Sequence, residues 1–140
     1  MTVLPVRLPF ALLLFVMLTA CASRGAPPVP PTPPTAADLA DAKTPVRCGS
    51  REQCERWWRT AQVWVVKNAG YRVQIATDAI VQTAGPDSGS SSWFFLATRA
   101  PHGDGGEAIE IEARCGSGAS CAPAYETAIA DFKRAVRGTR

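Results

Sequence analysis

Four cysteines arranged as two C-x5-C units, Cys48 with Cys54 and Cys115 with Cys121, constrain this chain more than any other feature. Three chemistries use such a set. Structural zinc usually takes ligands about two to four residues apart, so these spacings fit it poorly. Reactive thiol pairs come mostly as C-x-x-C, and the only histidine, His102, lies in a distant loop. Disulfides need an even count and an oxidising compartment. Four cysteines allow three pairings. Each unit sits where the chain enters a helix, so the symmetric spacing brings its two cysteines together across a first turn, and we expect Cys48–Cys54 and Cys115–Cys121. Closing a seven-residue loop contributes roughly 2–2.5 kcal/mol in the chain-entropy view. With one histidine, no multi-His metal site is possible, and no metal or other cofactor is expected.

The compartment follows from the amino terminus. Arg7 precedes an apolar run over residues 8–18, which as helix would span roughly 16 Å, about half a bilayer core. A basic start, a short apolar stretch and small residues after it are the anatomy of a secretory signal peptide. Pro5 and Pro9 argue against a buried helix instead. The run ends in Leu18-Thr19-Ala20-Cys21, which resembles the lipobox of bacterial lipoproteins. That resemblance implies lipid attachment at the Cys21 thiol, cleavage before it and acylation of the new amino terminus, palmitate being the expected acyl group. Two or more acyl chains anchor stably where one does not. Residue 22 is Ala rather than the Asp that retains lipoproteins at the inner membrane of enteric cells, so the resemblance points to the periplasmic face of the outer membrane.

Composition then changes. Six of the eight residues 27–34 are proline. Such a segment cannot bury enough apolar surface to offset its ordering entropy and reads as an extended spacer. The chain therefore divides into a leader (1–20), a lipidated cysteine with a Pro-rich linker (21–46) and a small periplasmic domain (47–140). Residues 35–43 suggest only a transient helical turn. The formal charge of +3 falls to +2 once Arg7 leaves, too weak a bias to select a partner.

Within the domain the periodicity predicts helix, four strands, helix. The first helix covers 51–69: Ser50 and Gln53 have capping-box spacing, Gly70 supplies the stop, and Cys54, Trp57, Trp58, Ala61, Trp64, Val65 and Asn68 share a face. Strands follow at 71–75, 80–83, 93–98 and 108–114, separated by turn-rich segments, and a second helix covers 123–136. Short connections imply an antiparallel meander. The expected fold is a two-layer α+β domain, α-β-β-β-β-α, with both helices on one sheet face and two disulfides.

A search for chemistry finds little. There is no G-x-S-x-G elbow, no S-x-x-K, no phosphate-binding loop and no dinucleotide fingerprint. Glu110 and Glu112 share a strand face, but a solvated face with Arg72 or Arg114 nearby explains them. His102 sits in a Gly- and Asp-rich segment of the kind that also makes ordinary hairpin turns. Lys133, Arg134, Arg137 and Arg140 form a modest basic cluster that complements a helix carboxyl end. No stacking platform interleaves with them, so nucleic acid is not an expected partner. The anomaly is the strand at 93–98, apolar on both sides: Trp93, Phe95 and Ala97 point one way, Phe94, Leu96 and Thr98 the other. Either packing buries the second side, or Trp93, Phe94, Phe95 and Leu96 contribute to an exposed patch that docks a partner.

The domain is similar to small uncharacterised proteobacterial lipoproteins in which a C-x5-C unit precedes a Trp-bearing helix and a second unit follows the sheet; the residues here are Cys48, Cys54, Trp57, Trp58, Trp64, Cys115 and Cys121. This resemblance implies no activity. The reading is a non-catalytic, membrane-anchored binding or scaffolding module with an envelope protein as partner. Alternatives are a peptidoglycan or lipid binder, an inhibitor presenting a loop such as 84–91 or 101–106, and a small envelope hydrolase. Inhibition of a cationic lysozyme is disfavoured, since it calls for an acidic surface.

Overall fold

Ser50 sets where the longest helix starts. Its hydroxyl accepts from the Gln53 amide, while the Gln53 side chain accepts from the Gly49 amide, so both ends of the cap are satisfied one residue away from the reciprocal pattern. The computed structural model describes residues 33–139. The leader, the lipobox with Cys21 and the first part of the linker lie outside the described residues. In chain order the elements are α1 (Ala36–Asp41), β1 (Val46–Cys48), α2 (Arg51–Asn68), β2 (Val73–Ala76), β3 (Ile80–Thr83), β4 (Phe94–Pro101), β5 (Glu107–Arg114) and α3 (Tyr125–Arg137).

The fold is α+β with one antiparallel sheet, but the sheet has five strands in the order β1-β5-β4-β3-β2, rather than the expected four. The meander of four is present. The fifth, β1, lies within and just past the segment read as linker, and pairs Val46 with Ile109 and Cys48 with Glu107. A third helix, α1, also falls in that segment, with Thr35 and Asp38 forming a reciprocal capping box. Both elements are too short to announce themselves by periodicity; β1 is defined by its partner strand and α1 by its cap.

Helix α2 carries the chain from one sheet edge, β1, to the other, β2. Eighteen residues of helix span about 27 Å, while five strands at ~4.8 Å spacing span ~19 Å. An element of this length can cross the whole sheet diagonally. Its buried residues are Cys54, Trp58, Ala61, Trp64 and Val65, the face the spacing predicted; Trp57 is half-buried and Asn68 exposed, its amide donating to the Trp64 carbonyl at 2.8 Å. Helix α3 lies beside α2, with Ala128, Ile129, Phe132, Ala135 and Val136 in the shared core. Trp64 stands edge-on to Phe95 of β4 at 5.1 Å and to Phe132 of α3 at 5.3 Å, tying the two helices to the sheet. Gly138 ends α3 in the left-handed region, φ +75°, where a side chain would be strained.

Both expected disulfides are present. Cys48–Cys54 staples β1 to the first turn of α2, and Cys115–Cys121 closes the loop between β5 and α3, with Cα separations of 5.3 and 5.9 Å. The first strand of the meander departs from its expected alternation. The register shifts between Val73 and Ile75, so Val73 opposes buried Thr83 while Ile75 opposes Gln82. An irregularity of this kind turns the residue after it to the opposite face. Ile75 is consequently 42% exposed instead of joining the core.

Candidate functional site

At the β1 end of the helix layer, alternation along β4 places Arg99 on the same face as Phe95 and Ala97. The side chain is only 9% exposed and lies between two carboxylates. It donates to Glu55 of α2 at 3.0 Å and makes a two-pronged pair with Glu107 of β5. The hydrogen bond to Glu107 is the leading reason the guanidinium holds its proton more tightly than usual. The bond from Arg99 is likewise the main reason Glu55 is held below the ordinary range of a glutamate. A carboxyl so held is a poor proton donor near neutral pH. Two shallow clefts of about 300 and 370 Å³ share Glu55, Arg99 and Glu107 as walls, one extending to Asp78 and the other to Arg51.

The same corner holds the one metal-like grouping among the described residues. The sulfurs of Cys48 and Cys54 and a Glu107 oxygen lie within 4.8 Å of one another. The sulfurs are bonded together and Glu107 is paired with Arg99, which leaves no set of free ligands. Sequence reasoning did not single out Arg99, Glu55 or Glu107. The available signal was the strand period, which puts a charge at an inward position of β4.

A second polar cluster joins α1 to α3. Lys133 is buried, 3% exposed, and donates to the main-chain oxygens of Asp41 and Thr44. Burial pushes its ammonium below the ordinary lysine value. Arg137 pairs with Asp41, which lowers the Asp41 carboxyl, chiefly through that hydrogen bond. Arg134 lies 4.0 Å from Asp38 and 3.8 Å from Asp131. The basic cluster read from the sequence is therefore an internal clasp rather than an outward patch; Arg140 lies outside the described residues.

Of the two alternatives for the strand at 93–98, the packing shows burial of Trp93, Phe94 and Phe95. Trp93, Phe94 and Phe95 are 8%, 3% and 1% exposed, and Leu96 is half-buried. Trp93 and Phe95 stack within the core, ring centres 6.1 Å apart. Phe94 faces the other way, and the Arg114 guanidinium, opposite it on β5, covers the ring at 4.8 Å. What stays open on this helix-free side shares only Leu96 with that set. Ile75 and Ile80, 42% and 38% exposed, accompany Leu96, Gln82 and Thr98, with Glu110, Glu112 and Arg114 along β5. Glu112 is bonded to Arg114 at 3.0 Å, as a solvated strand face allows.

His102 lies in the β4–β5 hairpin. Its Nδ1 accepts from the Gly103 amide at 2.9 Å, while Nε2 is buried without a hydrogen-bond partner. It belongs to no three-ligand grouping among the described residues. Among those residues no helix is long and apolar enough to cross a membrane. No protein-family model, no curated protein and no solved structure matches this chain.

Proposed function

We propose that the chain is a lipid-anchored lipoprotein on the periplasmic face of the outer membrane, a non-catalytic module that presents a disulfide-braced domain to a protein of the cell envelope. The observation that carries this reading is the use made of the inward cations: Arg99 links α2, β4 and β5, and the Lys133 and Arg137 clasp links α1 to α3, so these three side chains are engaged in joining elements. The helix-free sheet face offers what a binding module needs, aliphatic side chains from the β2 edge to β4 and charges beside them on β5.

Two measurements test the reading. Metabolic labelling with palmitate marks the chain and is abolished in Cys21→Ser. A photo-crosslinking residue at Gln82, in living cells, yields one discrete protein adduct that disappears in Leu96→Asp while the purified domain keeps its unfolding midpoint. Label found only on peptidoglycan or lipid sinks the protein-partner reading.

A further inference from the structure

The solvent side of α2 carries an unusual composition for a helix crest. Val63 and Val66 are 52% and 62% exposed, the two most open large aliphatic side chains among the described residues. One hundred degrees per residue places Arg56, Val63 and Lys67 on the line opposite the buried Trp58, Ala61 and Val65, with Arg59 and Val66 along one side of it. Arg59 and Lys67 are exposed, and Arg56 faces Glu52 at 3.7 Å as a solvent-screened i,i+4 pair. The crest is thus two bare valines flanked by three cations and two carboxylates, Glu52 and Glu55, the second of them already bonded to Arg99 at the edge of the crest. The cations of α3, by contrast, are engaged with α1.

We infer that this crest docks the domain, through Arg56, Arg59, Lys67, Val63 and Val66, onto an anionic phospholipid surface, that of the membrane holding the anchor. The inference rests on the anchored reading above and adds an orientation to it. Charge complementarity supports it: cations beside a lipid surface of negative potential each favour the bound state by about fivefold, and short apolar side chains between them enter the headgroup layer. Chain length supports it as well. Residues 22–35 span at most about 50 Å when fully extended, and ~20 Å as flexible coil. A domain of this size has a radius of gyration near 13 Å. An anchored chain therefore meets its own membrane at high effective concentration, and a weak crest contact suffices. Helix α2 lies on one side of the sheet and Ile75, Ile80 and Leu96 on the other, so docking by the crest turns the open sheet face toward the periplasm.

The test uses the mature chain with an environment-sensitive fluorophore on Val63→Cys; the four domain cysteines are in disulfides and Cys21 is acylated. Probe emission should rise and shift to the blue on vesicles containing phosphatidylglycerol. It should stay unchanged on pure phosphatidylcholine and be reversed by salt near 1 M, where the Debye length is ~3 Å. Arg59→Glu with Lys67→Glu should weaken the response ~10-fold or more. Equal emission on both vesicle types overturns docking, as does an equal response from a probe on Ile80→Cys, or a rise on purified peptidoglycan but not on vesicles. Intact mass reports acylation of Cys21 separately. If that cysteine is unmodified the anchor falls, and the chain carrying Cys21→Ser, labelled at Val63→Cys and added to preformed anionic vesicles, still decides docking by the same emission change.

Discussion

Arg99 and Glu55 are forty-four residues apart in sequence and meet at 3.0 Å, a charged bond between the sheet and the first turns of the helix that crosses it. With Glu107 on its other side, Arg99 is a single cation between two carboxylates. Removing it leaves those carboxylates facing each other. For Arg99→Met, which keeps most of the apolar stem, we expect a loss of about 2 kcal/mol at neutral pH. That is below the ~3–5 of a fully buried pair, because both partners retain some water. The pH dependence is the sharper readout. In the natural chain Glu55 titrates below its unfolded value, so its contribution is present above that value and is lost as the pH falls. In the variant the facing carboxylates raise each other, and acidification toward about pH 4 should relieve the defect. Urea midpoints for both chains between neutral pH and pH 4 check this; a constant gap between them refutes it.

Lys133 and Asp41 bring a second pair of distant elements together, and they govern a smaller unit. Helix α1 contributes no buried residue of its own, and its attachment is mainly polar. Asp41 has its carboxyl lowered by the bond from Arg137, so the stability it supplies is complete above the ordinary aspartate value, ~3.9, and disappears as the pH falls through its lower folded value. Below about pH 4 we expect amide exchange over residues 36–45 to accelerate while α2 and α3 stay protected. Lys133→Met should produce the same local release at neutral pH, with a global loss of about 1–2 kcal/mol from the two carbonyls left without their donor. Exchange that rises uniformly across the domain contradicts a separate α1 unit.

The two disulfides differ in access rather than in loop size. Cys48 and Cys54 are 3% and 1% exposed beneath β1 and α2, whereas Cys115 and Cys121 are half-buried in a loop. A thiolate must reach a sulfur to exchange with it. Mild reductant should therefore open Cys115–Cys121 first, with the other bond opening only as the domain unfolds. Replacing either pair by alanine should cost about 2 kcal/mol by the loop-closure argument. Timed alkylation followed by peptide mapping gives the order.

Much of this architecture was legible because its signals are local. Ser50, Gln53 and the three-four spacing from Cys54 to Val65 define α2 within a residue of its observed end, and the turn-rich segments separate the meander strands. What stayed hidden depends on partners distant in sequence. Val46 is a strand residue because Ile109 lies opposite it, and α1 is held by a lysine ninety-two residues beyond Asp41. Ile75 shows the limit of alternation itself: one register shift after Val73 sends it to the solvent side, although the sequence alternates without a break. Phe94 is the converse case, an outward aromatic whose cover, Arg114, comes from the neighbouring strand. The corner around Arg99 was only partly legible: β4 runs past the expected end at 98 to Pro101, and the strand period carried one residue further gives the inward direction of Arg99 but not the two carboxylates that make that direction tolerable.

Thr83 shows how a side chain can complete the backbone ladder. Pairing of β3 with β4 runs from Ile80 opposite Thr98 to Gln82 opposite Leu96. At the next position the Thr83 hydroxyl accepts from the Phe95 amide at 3.0 Å and donates to the Phe95 carbonyl at 3.4 Å, with the side chain fully buried. The main-chain groups of a core aromatic thus depend on one hydroxyl. Thr83→Val preserves shape and removes both bonds, leaving a buried donor and acceptor without partners, at an expected cost of about 2–3 kcal/mol. Thr83→Ser keeps the hydroxyl and removes one methyl, for which about 1 kcal/mol is expected. If packing alone held this position, the order would reverse and valine would be the milder change. Chemical denaturation of the two variants decides between bond and methyl, and Phe95 amide exchange locates the effect: faster in Thr83→Val, close to the natural rate in Thr83→Ser.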